Sequence, residues 1–266
     1  MIHNTKEIDM TTTTQTSTPK HPPMDHMRKT ALVAGIFYLV TFVSIPTLAL
    51  YHGVLANHQF VLHAGSNTGL LWGAFLELIV ALAGIGTAVT LFPVVKRQNE
   101  AAALGFVTTR VIEGAMIFVG VLSILSIVAL RHDMAGASGA NAASLVTTAT
   151  ALAAVYKWTM LLGQTLMPAL NALLLGSLLY RSRLVPRILP TLGLVGAPIL
   201  IASVIVGLFR IDHPIMVLAG MGTLPIAAWE FSLGVWLVVK GFNSSPAIST
   251  PERSADIQSE LEPAFA

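Results

Sequence analysis

From about residue 30 onward the chain alternates long apolar runs with short polar turns. Six such runs fall at residues 30–50, 69–95, 101–130, 151–180, 190–209 and 215–240. Each comes close to or exceeds the roughly 20 residues that a helix needs to cross a hydrocarbon layer of about 30 Å. The pattern predicts an all-α fold, a polytopic transmembrane bundle of six spans filling residues 28–242, with the lipid bilayer as its surroundings. The run from about 145 to 180 exceeds one crossing. Its first part, "LVTTATALAA", is placed along the outer interface, with the span proper starting near Lys157.

Prolines punctuate the runs without forbidding helices. Pro46, Pro93, Pro168, Pro198 and Pro225 lie in or near spans, where each removes a backbone hydrogen bond that neighbouring helices or hydroxyls can replace. Kinks are expected there. Residues 1–27, with Thr11 to Thr14 and the prolines 22 and 23, and residues 243–266 read as disordered tails. The first apolar run follows Arg28 and Lys29 and is long enough to span, which argues against a cleaved signal; Met24 and Met27 stand as alternative starts. The turns "LFPVVKRQNEAAALG" and "LLYRSRLVPRILPTLG" both join two spans through basic residues, a match too thin to define duplicated halves.

Charge assigns the sides. Lys6, Lys20, Arg28, Lys29, Lys96, Arg97, Arg181, Arg183, Arg187, Lys240 and Arg253 all fall at one set of ends, against Arg131 and Arg210 at the other. The positive-inside rule then puts both termini in the cytoplasm. Composition agrees with a membrane protein: 54% of residues are hydrophobic and 11% charged, against about 25% charged in soluble chains. The mean hydropathy is +0.74. A net charge of +2 is accounted for by these flanking residues, so no nucleic-acid partner is implied. With no cysteine there is no disulfide, thiolate metal site or cysteine nucleophile.

Five ionisable residues nevertheless sit inside spans: Glu77, Arg110, Glu113, Lys157 and Glu230. A central charge costs about 2.5–3.5 kcal/mol on insertion scales, so exposure to acyl chains is disfavoured. Counted at about 1.5 Å per residue from the basic ends, Arg110, Glu113, Glu230 and Asn171 lie at depths of about 14, 18, 15 and 14 Å. They share a layer. Arg110 and Glu113, three apart, also share a helix face, and a guanidinium fork suits two carboxylates and an amide. Glu77 and Lys157 form a second, outer layer. Lys157 is placed to snorkel among the belt residues Tyr156 and Trp158, whereas Glu77 needs a partner or a proton.

Other chemistry is sparse. His52, His58, His63, His132 and His213, with Asp133 and Asp212, gather on the outer side; their spacing matches no known metal site, and solvated loop histidines are the plainer reading. No metal or other cofactor is expected. Protease, hydrolase and nucleotide-binding signatures are missing, and the chain is expected not to be an enzyme. Gly69 with Gly73, and Gly84 with Ala88, have the spacing of close helix approach. That serves packing within the chain, with a homo-oligomer as the alternative.

Four blocks, "RKTALVAGIFYLVTFVSIP", "LELIVALAGIGTAVTLFPVVKRQNEAAALGF", "NALLLGSLLYRSRLVPRILPTLGLVGAP" and "WEFSLGVWLVVKGF", resemble a bacterial membrane family described as domain of unknown function 4386. The basic turns and their flanking Leu, Gly and Pro recur in the same order. The resemblance implies a multi-pass protein of the bacterial inner membrane and brings no activity, substrate or catalytic residue. Lys157, and the His-rich first outer loop, depart from the pattern.

Three functions follow. The leading expectation is a non-enzymatic structural, assembly or regulatory membrane component whose polar layer of Glu77, Arg110, Glu113, Asn171 and Glu230 specifies packing. The alternative is a small-solute or proton-coupled transporter using Glu77, Glu113 and Glu230. An intramembrane enzyme ranks third and requires a cavity at Glu113 and Glu230.

Overall fold

The computed structural model describes residues 26–57, 59–63, 65–134, 138–209 and 214–243, and all its elements are helical. The expected tails lie outside these residues, except that His26, Met27 and Asn243, assigned to tails, are ordered into the fold. The first span is α1, His26–Val40, followed by a 3₁₀ turn, Thr41–Ser44, and two short helices, α2, Thr47–Leu50, and α3, His52–Ala56. A second 3₁₀ turn, Phe60–Leu62, leads to α4, Thr68–Val95, and α5, Glu100–Asp133. Then come α6, Gly139–Thr159, a π-helical segment, Met160–Leu166, α7, Met167–Ser182, α8, Ile188–Leu208, and α9, Pro214–Val239. Six helical stretches are long and apolar enough to cross a membrane, in agreement with the six runs.

The spans close into a ring. α1 packs on α4, α4 on α5, α5 on α7, α7 on α8, α8 on α9 and α9 back on α1. The seam between first and last spans is fastened by Arg28, whose Nη1 donates to Leu237 O at 2.9 Å and whose Nη2 donates to Val238 O at 2.6 Å. These are carbonyls of the last turn of α9, which have no partner further along the helix. The outward surface is apolar: Leu48, Leu82, Val89, Leu122 and Leu224 are all more than 60% exposed. A water-soluble fold would hide such residues, whereas hydrocarbon accepts them.

Prolines act unequally. Pro46 follows the 3₁₀ interruption of the first span, and Pro168 follows the π segment. Pro168 cannot donate to the carbonyl of Gln164, and its ring crowds that carbonyl, so the preceding turn widens. α4, α8 and α9 run on through Pro93, Pro198 and Pro225.

The expected placement of one stretch is overturned. The stretch beginning "LVTTATALAA" does not turn along an interface; Gly139–Ser182 is one continuous helical stretch of 44 residues. Its first part stands beside the far half of α5, where Leu145, Ala149 and Ala153 pack with Ile124, Ile127, Tyr51, Val54 and Val61. Small residues on one side of α6 let it nest against a neighbour, which hides more surface than lying flat would. A larger apolar cluster at the basic end centres on Trp229, Phe106, Leu91, Leu175 and Leu233.

Arg131, assigned to an outer loop, is instead buried at 8% exposure. Its Nε donates to His63 O and its Nη1 to Asn67 Oδ1, both at 2.7 Å, and its guanidinium stacks 4.2 Å from the Phe60 ring. It ties the segment before α4 to the end of α5. Arg131→Ala is expected to raise amide exchange across residues 59–67 by roughly tenfold or more, since two charge-assisted bonds vanish. Unchanged protection there, measured by hydrogen exchange, would show that the clamp contributes nothing.

Candidate functional site

Arg110 projects from the middle of α5, between the apolar contacts of Phe106 and Ile117. Glu113, one turn on, shares its face, and the guanidinium Nη1 donates to both Glu113 oxygens, at 3.3 and 3.1 Å. Nη2 donates to Oε1 of Glu230 on α9 at 2.6 Å. Asn171 on α7 completes the layer: its Nδ2 donates to Glu113 Oε2 at 2.7 Å, and its Oδ1 accepts from Thr109 Oγ1. Four of the five residues singled out above therefore form one hydrogen-bonded group drawn from three spans. Arg110 and Asn171 are almost fully enclosed, at 2% and 0% exposure.

Aromatic rings line the guanidinium. The Tyr38 ring centre on α1 lies 5.4 Å from Arg110 Cζ and that of Phe106 lies 5.9 Å away, distances at which a ring face attracts a cation. Gly84 on α4 faces Arg110 across the helix contact; a Cβ there would stand in ordinary van der Waals contact, 3.9 Å from Nη1 and 4.0 Å from Cδ.

Glu77 forms a separate group. It is 1% exposed; its Oε1 accepts from Tyr156 Oη at 2.7 Å and from Gln164 Nε2 at 3.4 Å. Tyr51 stacks edge-on against Tyr156, with ring centres 5.3 Å apart. Lys157 takes no part in this: it faces outward, as does Trp158. Tyr156 is a correction, because it is buried and serves Glu77 and is no belt residue at the surface. One helical step of about 100° separates Tyr156 from Lys157, and inward or outward facing depends on that phase.

A cavity of about 200 Å³ touches both groups. Arg110, Glu113 and Glu230 lie at its polar side, Gln164 at the side toward Glu77, and Thr41, Ser44 and Thr223 contribute hydroxyls. The interruption of the first span and the π segment both border it. It is roomy enough for several waters, each of which occupies about 30 Å³ in the liquid. Glu230 Oε2 has no hydrogen-bond partner among the described residues, yet it is not one of the sealed-off orphan atoms, and Glu230 lines this cavity.

The sequence reading missed Thr109, Tyr38, Tyr156 and Gln164. Gln164 and Thr165 form a polar pair just before Pro168 inside an apolar run, which was the available signal. Among the described residues no three His, Asp or Glu side chains gather as metal ligands. His132 and Asp133 form an exposed pair at 3.0 Å, while His58, Asp212 and His213 lie outside the described residues.

A family model described as "Domain of unknown function (DUF4386)" matches residues 33–241, from within α1 to just past α9. No curated protein and no solved structure matches the chain.

Proposed function

The chain belongs to the DUF4386 family, a membership that carries no activity with it, and we propose from the geometry that it is a non-catalytic carrier moving a small solute across a bilayer coupled to protons. The family resemblance implies a bacterial inner membrane as the setting, and the basic turns favour both termini in the cytoplasm. The observation that carries this reading is the imbalance of charge beside a cavity. Two carboxylates, Glu113 and Glu230, meet one guanidinium, and Glu230, bonded through Oε1 alone among the described residues, lines the cavity.

A layer built purely for packing would not leave a surplus carboxylate, because an unneutralised charge costs stability in lipid. Both carboxylates line the cavity, with side chains 10% and 14% exposed. Glu113 accepts from Arg110 and Asn171 through both oxygens, whereas among the described residues Glu230 accepts through Oε1 alone. It is the group placed to gain and lose a proton.

The test is flux. Protein reconstituted in liposomes holding a pH-sensitive dye and an imposed pH gradient is challenged with a broad solute panel. At least one solute is expected to accelerate proton movement several-fold over empty vesicles, and Glu230→Gln to abolish that acceleration. No solute-dependent proton movement across the panel sinks the carrier reading.

A further inference from the structure

We propose that the cavity beside Glu230 binds a small organic cation, a protonated amine with an apolar body, in exchange for a proton carried by Glu230. The inference rests on the carrier reading and names its substrate class.

Charge comes first. With Glu113 and Glu230 both ionised, the buried group of Arg110 and its two partners carries one net negative charge. A proton or a cation in the cavity neutralises it, whereas an anionic solute would double the excess. An anion would also have to compete for Arg110 with two carboxylates already held at 3.1 and 2.6 Å. The site favours positive ligands.

Hydrogen-bond polarity points the same way. Thr41 spends its proton on Tyr38 O at 2.7 Å and Ser44 on Thr41 O at 3.3 Å, leaving oxygen lone pairs. Gln164 directs its amide N–H to Glu77. Together with the free oxygen of Glu230 and the Thr223 hydroxyl, which can give or accept, the lining is richer in acceptors than donors, and an alkylammonium brings three donors and no acceptor. The remaining wall is apolar, with Phe42, Val80, Ile117, Leu200 and Ile226. It suits a short hydrocarbon body, and a volume of about 200 Å³ falls below the range of about 300–1,000 Å³ typical for drug-sized ligands.

The exchange balances. With a proton on Glu230 the group is neutral, because Arg110 with Glu113 is neutral as a pair. When the ammonium enters, that proton leaves the Glu230 carboxyl for solvent, and the new ion pair keeps the site neutral. No bond other than O–H breaks. Among the described residues, the charged and titratable groups around Glu230 are Arg110 and Glu113 from α5 and Tyr38 from α1; α8 brings Leu200 to the cavity.

The test uses full-length protein in detergent, lightly buffered at pH 6, titrated with n-butylammonium chloride. Sodium butyrate and 1-butanol serve as probes with the same body and a negative or no charge. The amine stays protonated throughout, since alkylammonium groups titrate near about 10.4. Expected are saturable amine binding, release of about one proton per amine bound, and affinity falling up to about tenfold per unit of pH lowered. Glu230→Gln should weaken binding at least tenfold and release no proton. Should that variant fail to fold, the proton count on the native protein still decides. Binding of butyrate or butanol as tight as that of the amine, amine binding without proton release, or no amine binding overturns the proposal. Amine-linked proton release with no flux in vesicles keeps this site and rejects the carrier. Flux driven only by acids or neutral solutes keeps the carrier and rejects this site.

Discussion

Replacing Arg110 by alanine is expected to cost about 3–5 kcal/mol of stability, the range for removing one partner of a buried ion pair. The buried Glu113 carboxylate would then lose its guanidinium and keep Asn171 as its amide donor, and Glu230 would lose the donor that ties it to α5. Most of the protein should be lost from the monodisperse fraction on size exclusion, and the remainder should melt earlier. Charge, not shape, is the cause, so Arg110→Leu combined with Glu113→Leu should recover a large part of the yield. Recovery should stay incomplete until Glu230→Gln is added, because Arg110 also holds that second carboxylate on α9. An Arg110→Ala protein as stable as the parent would remove electrostatic neutralisation as the organising force of the layer. A recovered double variant without flux would separate folding from function and favour the carrier over a packing role.

The second large effect is steric. Gly35 on α1 lies so near α9 that an added Cβ would sit 2.8 Å from Gly234 O and 2.9 Å from Val238 N. Both are backbone atoms and cannot rotate away. Gly35→Ala must therefore push the first and last spans apart, at the seam that Arg28 fastens. The expected loss is about 1–3 kcal/mol, the range for overpacking, and toward its upper end because backbone must move. Gly105→Ala is the control, since its Cβ would meet only Leu174 side-chain atoms at 3.4 and 3.5 Å. Thermal midpoints in detergent compare the two. Equal midpoints would mean that the ring seam yields without penalty.

Both predictions depend on features that differ in how far the chain announces them. The six spans were readable because hydrocarbon thickness demands apolar length, and length survives in one dimension. The shared depth of Arg110, Glu113, Asn171 and Glu230 was readable for a similar reason, since helical rise converts residue counts into distance. Tyr156 was misread because the side it faces depends on rotation about the helix axis, and its neighbours Lys157 and Trp158 suggested the surface. Arg131 was misread because its partners, His63 O and Asn67, belong to a segment with no periodic pattern. "LVTTATALAA" was misplaced because excess length alone does not say whether a helix bends or continues.

By itself, then, the sequence determined an all-helical, six-span chain with a charged layer at one depth, because apolar run length and helical rise are local properties. Tertiary structure alone decided that α9 returns to α1, that Arg110 holds two carboxylates from different spans, and that a void opens at Glu230. Closing the ring sets the rotation of every helix at once, and only that joint rotation decides which polar atoms meet and which are left facing space.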